Sequence, residues 1–253
     1  MKGWKDMIRG LTSVIFPTTG RAEQAVACLE LLAKTTAPHK IEICAAVDAD
    51  PETVAALTGF EVLAGKLWPH LTRVSIDIHT HYRGQPRAWN AGLRISRGEY
   101  VVFAADDLRW TDGWLTAALE CMKTLPPGGG LVGLNDLHRT FAMRKESTHY
   151  VASRWFVVNY LNGCLGFPHY AGACNDSEAC VRARLAERYV PCYDAVVEHV
   201  HYDNGLRKMD NTDLMWFPSK QRSRREFERR QRIGFPNDFE PAITAESLEL
   251  EDA

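Results

Sequence analysis

The run GEYVVFAADDLRW, Gly98 to Trp110, carries an apolar stretch that stops abruptly at two adjacent aspartates, Asp106 and Asp107. Tyr100 to Ala105 reads as a buried strand, because apolar residues occupy successive positions and so face both sides of a sheet. In open parallel sheets, ligands collect beyond the carboxyl ends of the strands. Carboxylates placed there supply hard oxygen ligands to Mg²⁺ or Mn²⁺, whose charge offsets that of a diphosphate. The same two residues suit a second role, an Asp-rich turn capping a helix that starts at Thr111 or Asp112. The rest of the chain has to decide between the two.

Further polar groups sit at predicted strand and helix ends. The segment FPTTGR puts Thr18, Thr19 and Gly20 in a small turn just before a helix, suited to approach by a nucleotide. In AAVDADPET, Asp48 and Asp50 follow an apolar strand and Pro51 marks a helix start. Farther on, YAGACNDSEACVRAR sets Asp176 and Glu178 in a first helical turn, where the helix dipole by itself favours carboxylates. In VVEHVH, His199 and His201 lie two apart on a predicted strand and share a face.

The elements that position these groups alternate in type. Leu11–Phe16, Ile41–Val47, Val74–His79, Tyr100–Ala105 and Leu131–Leu134 are short, apolar and rich in β-branched residues, and Val196–Val200 reads as a last strand. Ala22–Lys34 and Asp112–Leu125 carry apolar residues at spacings of three and four, as helices with one buried face do. Strand and helix in alternation predict a three-layer α/β/α, Rossmann-like fold with a mainly parallel central sheet. After Pro126-Pro127-Gly128-Gly129-Gly130 the pattern turns irregular and aromatic, from Tyr150 to Tyr170. That interval fits either an acceptor surface or a second small core. Asn175–Tyr189 returns to helical spacing. Ser219–Ile233 predicts a helix with seven Lys or Arg against Glu226 and Glu228, either solvated and paired with the acidic tail after Asp238 or gripping a polyanion.

Composition removes several classes. A hydrophobic fraction of 45% and a charged fraction of 25% over 253 residues are those of an ordinary globular chain. A formal net charge of −2 gives no global attraction to nucleic acid or anionic membrane. Seven scattered cysteines with no C-x-x-C spacing predict reduced thiols and argue against zinc or a disulfide framework. With no signal-peptide core and no run of about 18 apolar residues, the expected location is cytoplasmic.

Taken in order, these motifs resemble the family 2 glycosyltransferases of the GT-A fold, over about residues 11 to 201. The phrase carrying the likeness is Asn90, Gly92, Gly98-Glu99-Tyr100, an apolar strand and then Ala105-Asp106-Asp107. The family's Asp-x-Asp motif has lost its first aspartate to Ala105. The resemblance implies that Asp48 holds the donor's base and that Thr18, Thr19 and Arg21 contact the nucleotide. Arg87 and Asn90 are placed near the ribose or diphosphate, with Asp106 touching ribose, sugar or metal. It further implies Asp107 as metal ligand with His199 or His201, Asp176 as the base that deprotonates the acceptor, and Glu178 as the fallback base.

The implied activity is inverting, metal-dependent transfer of a sugar from a nucleoside diphosphate sugar, UDP-linked by preference, to an acceptor hydroxyl on a glycan, a lipid-linked sugar or modified DNA. Mn²⁺ or Mg²⁺ is the implied cofactor. Alternatives are a DNA-directed enzyme acting on modified bases and an inactive nucleotide-binding module. The expected organisation is a GT-A domain over residues 1–210, with a nucleotide-sugar half at 11–130 and an acceptor half at 131–210. A basic helical extension with an acidic tail follows at 211–253.

Overall fold

The structure, a computed structural model, describes residues 7–244. The acidic residues from Glu246 onward lie outside the described residues. Among the described residues eight strands form one sheet: β1 (Ile8–Thr18), β2 (Ile41–Asp48), β3 (Leu71–His79), β4 (Gly98–Phe103), β5 (Leu108–Trp110), β6 (Leu131–Asn135), β7 (Tyr150–Ser153) and β8 (Tyr189–His199). Their order is β3-β2-β1-β4-β7-β6-β8-β5. Pairings β1·β2, β2·β3, β1·β4 and β6·β8 are parallel, whereas β7 and β5 run against their neighbours. The sheet is therefore mainly parallel with two reversed strands.

Helices α1 (Ala22–Thr35), α2 (Pro51–Leu67), α3 (Gln85–Ile95) and α4 (Trp114–Lys123) alternate with the early strands. Then come α5 (Arg139–Arg144), α6 (Arg154–Tyr160), α7 (Asn175–Leu185), α8 (Asn211–Trp216) and α9 (Ser219–Arg232). Successive residues of β1 separate the layers: Val14 and Phe16 join one core with α1, α2 and α4, while Ile15 joins another with α3, α6 and α7. This alternation is why the strands read as unbroken apolar runs.

Asn90 and Gly92 serve this packing. A Cβ on Gly92 would stand 2.8 Å from the Cys44 carbonyl oxygen, so only glycine lets α3 lie this close to β2. The aromatic interval is largely the second core: Tyr150, Phe156 and Phe167 are fully buried there. The helix expected at Asn175–Tyr189 stops at Leu185; Glu187 has a positive φ of 56° and the chain then enters β8, which starts seven residues before the expected Val196.

The basic segment at the C-terminal end is seated on the domain. Ser223 and Arg230 of α9 are buried, and Phe227, Phe239 and Ile243 pack against the second core. Arg222, Arg225, Arg229 and Arg232 occupy the outward side of α9 and are exposed. Among the described residues, no helix is long and apolar enough to cross a membrane, and all seven cysteines are free.

Candidate active site

Strands β1, β2, β4, β6 and β8 all end at one rim, and a cleft of about 310 Å³ opens there. Thr18, Thr19, Arg21, Asp48, Asp106, Asp107, Asp176, His199 and His201 from the sequence reading all line it. Arg87, Asn90 and Glu178 do not. Arg87 is exposed and donates from Nη1 to the Arg83 carbonyl at 3.2 Å. Asn90 clamps a loop, donating to the Gly166 carbonyl and accepting from the Leu165 and Gly166 N–H groups at 2.7–3.0 Å. Glu178 is fully buried and accepts from Tyr170, Arg182 and Arg230, which leaves it no access to an acceptor.

At the β2 end, Asp48 is 3% exposed and accepts from the Arg83 backbone N–H at 2.7 Å and from Arg83 Nε at 2.6 Å. Tyr82 lines the cleft beside it. Thr19 Oγ1 donates to the Asp48 carbonyl, tying the β1 turn to β2.

The two aspartates after β4 have different surroundings. Asp106 accepts from Thr18 Oγ1 at 2.8 Å and from Arg21 Nη1 at 2.9 Å, so both oxygens are already engaged. Burial pushes its carboxyl up to about 6, with Arg21 pulling the other way and the charge on Asp107 adding to the rise. Asp107 keeps Oδ1 buried without a hydrogen-bond partner. Burial would raise its carboxyl too, but His199, by charge and hydrogen bond, holds it well below the usual range. Arg21 also pairs with Asp210 and Asp213, which ties α8 over the mouth of the cleft.

His199 Nε2 stands 3.4 Å from Asp107 Oδ2. Ligand atoms of Asp107, His199 and His201 lie within 4.8 Å of one another, close enough to share one ion. The two histidines differ in their bonding. Nδ1 of His201 accepts from the Asp203 N–H at 3.2 Å, so its neutral ring carries the proton on Nε2. Burial and the neighbouring His199 lower His201 to about 4. His199 is raised: Asp107 outweighs the opposing effect of burial.

Asp176, in the first turn of α7, faces the same cleft. Burial lifts its carboxyl to about 6 against the pull of the Ser177 and Asp176 backbone N–H groups.

Several residues in or beside the cleft were not found from the sequence. Asp136, His138, Thr148 and His149 form a cluster beside His199, and Arg207, Asp213 and Lys220 close the other side. Asp136 follows β6 as Asp107 follows β4, so the strand-end argument would have found it. The others reach the cleft through short irregular segments that carry no periodic signal.

A sheet whose carboxylates gather at one rim of a three-layer α/β/α sandwich is the architecture of the GT-A glycosyltransferases. The sequence profile of glycosyl transferase family 2 matches residues 13–169, well over half the chain, and the protein belongs to that family. No curated protein sequence matches it. Among solved structures it is similar to the mannosyltransferase PcManGT of Pyrobaculum calidifontis, in complex with GDP-Man and Mn²⁺, at TM-score 0.62 and 21% identity over 76% of this chain and 57% of that one. S. aureus TarS (residues 1–349) gives TM-score 0.56 and 16% identity, covering 74% of this chain and 59% of that one. Glucosyl-3-phosphoglycerate synthase of Mycobacterium tuberculosis, with Mn²⁺, UDP-glucose and phosphoglyceric acid, gives 0.56 and 16% over 90% and 81%. This chain thus spans less than two thirds of the length of the first two.

Proposed function

We propose that this protein is an inverting, metal-dependent glycosyltransferase that moves a sugar from a nucleoside diphosphate sugar, UDP-linked by preference, to an acceptor hydroxyl. The observation that carries the reading is the buried, unpartnered Oδ1 of Asp107, which shares the cleft with His199 on one side and Asp176 on another. A buried carboxylate oxygen without a donor is costly unless a cation or a water completes it. An Asp/His set suits Mn²⁺, and carboxylate with waters suits Mg²⁺. The Mn²⁺ complexes of PcManGT and of the synthase support the same choice.

Asp107 and His199 would hold the ion, which when bound offsets charge developing on the leaving diphosphate. His201 serves better as a donor from Nε2–H. Asp48 and Tyr82 form the base end of the cleft, where a carboxylate accepts from base N–H groups. Thr18 and Arg21 approach the phosphates, Arg21 exchanging aspartate partners for phosphate oxygens. Asp106 fixes Thr18 and Arg21 rather than meeting the donor directly. Asp176 takes the proton of the acceptor hydroxyl as that oxygen attacks the anomeric carbon opposite the departing diphosphate, which inverts the centre.

A thermal-shift panel of UDP, GDP, dTDP and CDP, each with Mn²⁺, Mg²⁺ or chelator, tests the reading, since binding to the folded state raises apparent stability. A selective, cation-dependent shift is expected. No shift with any nucleotide would remove the donor site. The outward arginines of α9 favour one second reading, an acceptor on nucleic acid. Its signature is binding that falls steeply with salt, and weak or salt-insensitive binding would dismiss it.

A further inference from the structure

Cys121 and Cys192 are 71 positions apart in sequence and meet in space. Cys121 stands half-buried in the last turn of α4, and Cys192 is buried on β8. The Cys121 S–H donates to Cys192 Sγ at 2.6 Å, and the Cys192 S–H donates to the Ala117 carbonyl at 3.4 Å. Ala117 and Cys121 are one helical turn apart, so the β8 thiol is seated between two successive turns of α4. The thiols of Cys28, Cys164 and Cys180 are instead bonded to backbone carbonyls.

We infer that Cys121 and Cys192 form a redox site, which a peroxide closes into a disulfide and a thiol reductant reopens. The half-buried Cys121 sulfur attacks a peroxide oxygen, the O–O bond breaks and water leaves, giving a sulfenic acid. Cys192 then attacks Cys121 Sγ, the S–O bond breaks and a second water leaves. Two thiols give up two electrons and two protons, and the peroxide takes both. Burial, and after it the Cys192 sulfur, raise the Cys121 thiol to about 12, so the resting pair is a dithiol and the first step is the slow one. The second joins sulfurs already in contact, and closing to a bond of about 2 Å needs side-chain rotation rather than movement of α4 or β8.

The bond ties the ends of a segment that holds β6, β7, α6 and α7, and with them Asp176. Cys192 opposes Leu134, the last pair before the register of β6 and β8 shifts, so the tie lies just ahead of the part of β8 that carries His199. None of this rests on the transferase reading.

The reduced full chain is treated with hydrogen peroxide, denatured, alkylated and mapped by mass spectrometry without reduction. Two of the seven thiols are expected to escape alkylation, with an intact mass lower by two hydrogens before alkylation and a peptide pair joined through Cys121 and Cys192. The thermal midpoint rises, because the bond restricts the unfolded chain. Dithiothreitol reverses all of these, and Cys121→Ser prevents them. Peroxide that leaves all seven thiols open to alkylation while oxidising free glutathione overturns the inference. So does Cys121 carried to sulfinic acid with no linked peptide, a bond between other cysteines, or a linked protein whose midpoint falls.

Discussion

His199 Nε2 lies 3.4 Å from Oδ2 of Asp107, joining the end of β8 to the turn after β4. The two residues are far apart in sequence, yet the antiparallel pairing of Leu108 with His199 fixes their separation directly. A side chain at this junction is placed by the sheet rather than by a loop, which suits a cation site.

Asp107→Asn should therefore weaken cation-dependent donor binding by at least 10-fold while leaving the fold intact. Calorimetric titration of UDP with and without Mn²⁺ measures this. Equal affinities for wild type and variant would take Asp107 out of the site.

Asp176→Asn should abolish transfer and leave donor binding nearly unchanged. The same change carries a stability signature. The native carboxyl is raised to about 6, so the folded state holds its proton more tightly than the unfolded chain. Its stabilising contribution is complete below the unfolded value, near pH 4, and is lost as pH rises through about 6. At neutral pH the ionised carboxylate is a net cost, and Asn should raise stability there by about 1–2 kcal/mol but not at pH 4. Denaturation at the two pH values checks the sign, and a variant less stable at neutral pH than the wild type contradicts it.

Turnover should fall on the acid side with an apparent midpoint near 6, because the base must be ionised to accept a proton. A pH profile at saturating donor reads this midpoint. An acid limb near 4 would mean that the burial effect on Asp176 is absent in the working complex.

Arg230→Met should destabilise the protein by about 3–5 kcal/mol, since Arg230 and Glu178 are both fully buried and each loses its main partner when the other is removed. The double variant Glu178→Gln, Arg230→Met should recover part of that loss, as urea midpoints would show. Additive losses would mean that the two residues act separately.

The strand ends were legible because burial on both faces leaves an unbroken apolar run, and such a run points to its own ligand rim. Asp48, Asp107 and His199 all follow from that logic. Helix α3 was harder to read: Asn90 and Gly92 inside it lower helix propensity, and both are there for close packing and a loop clamp. In α2, Val62, Leu63 and Leu67 are exposed, which blurs the apolar stripe that marks a helix. Strand β7 has only four residues, too few for a pattern to emerge. Glu178 was misread because a carboxylate in a first helical turn looks alike whether it faces a cleft or a buried arginine 52 positions later. Thr148 gave no signal at all, since its hydroxyl meets Asp136 and His199 on two segments distant in sequence.

The bond between Glu178 and Arg230 has a consequence for how the protein is made. Ribosomal synthesis delivers α7, with Asp176 in its first turn, before α9 has been translated. Until Arg230 emerges, Glu178 has only Tyr170 and Arg182 as donors, and the helix lacks the buried ion pair that fixes its final place. A chain that stops ahead of residue 219 would thus have every described strand of the sheet but not the ion pair that seats α7, so the helix carrying Asp176 takes its final place only once α9 has been made.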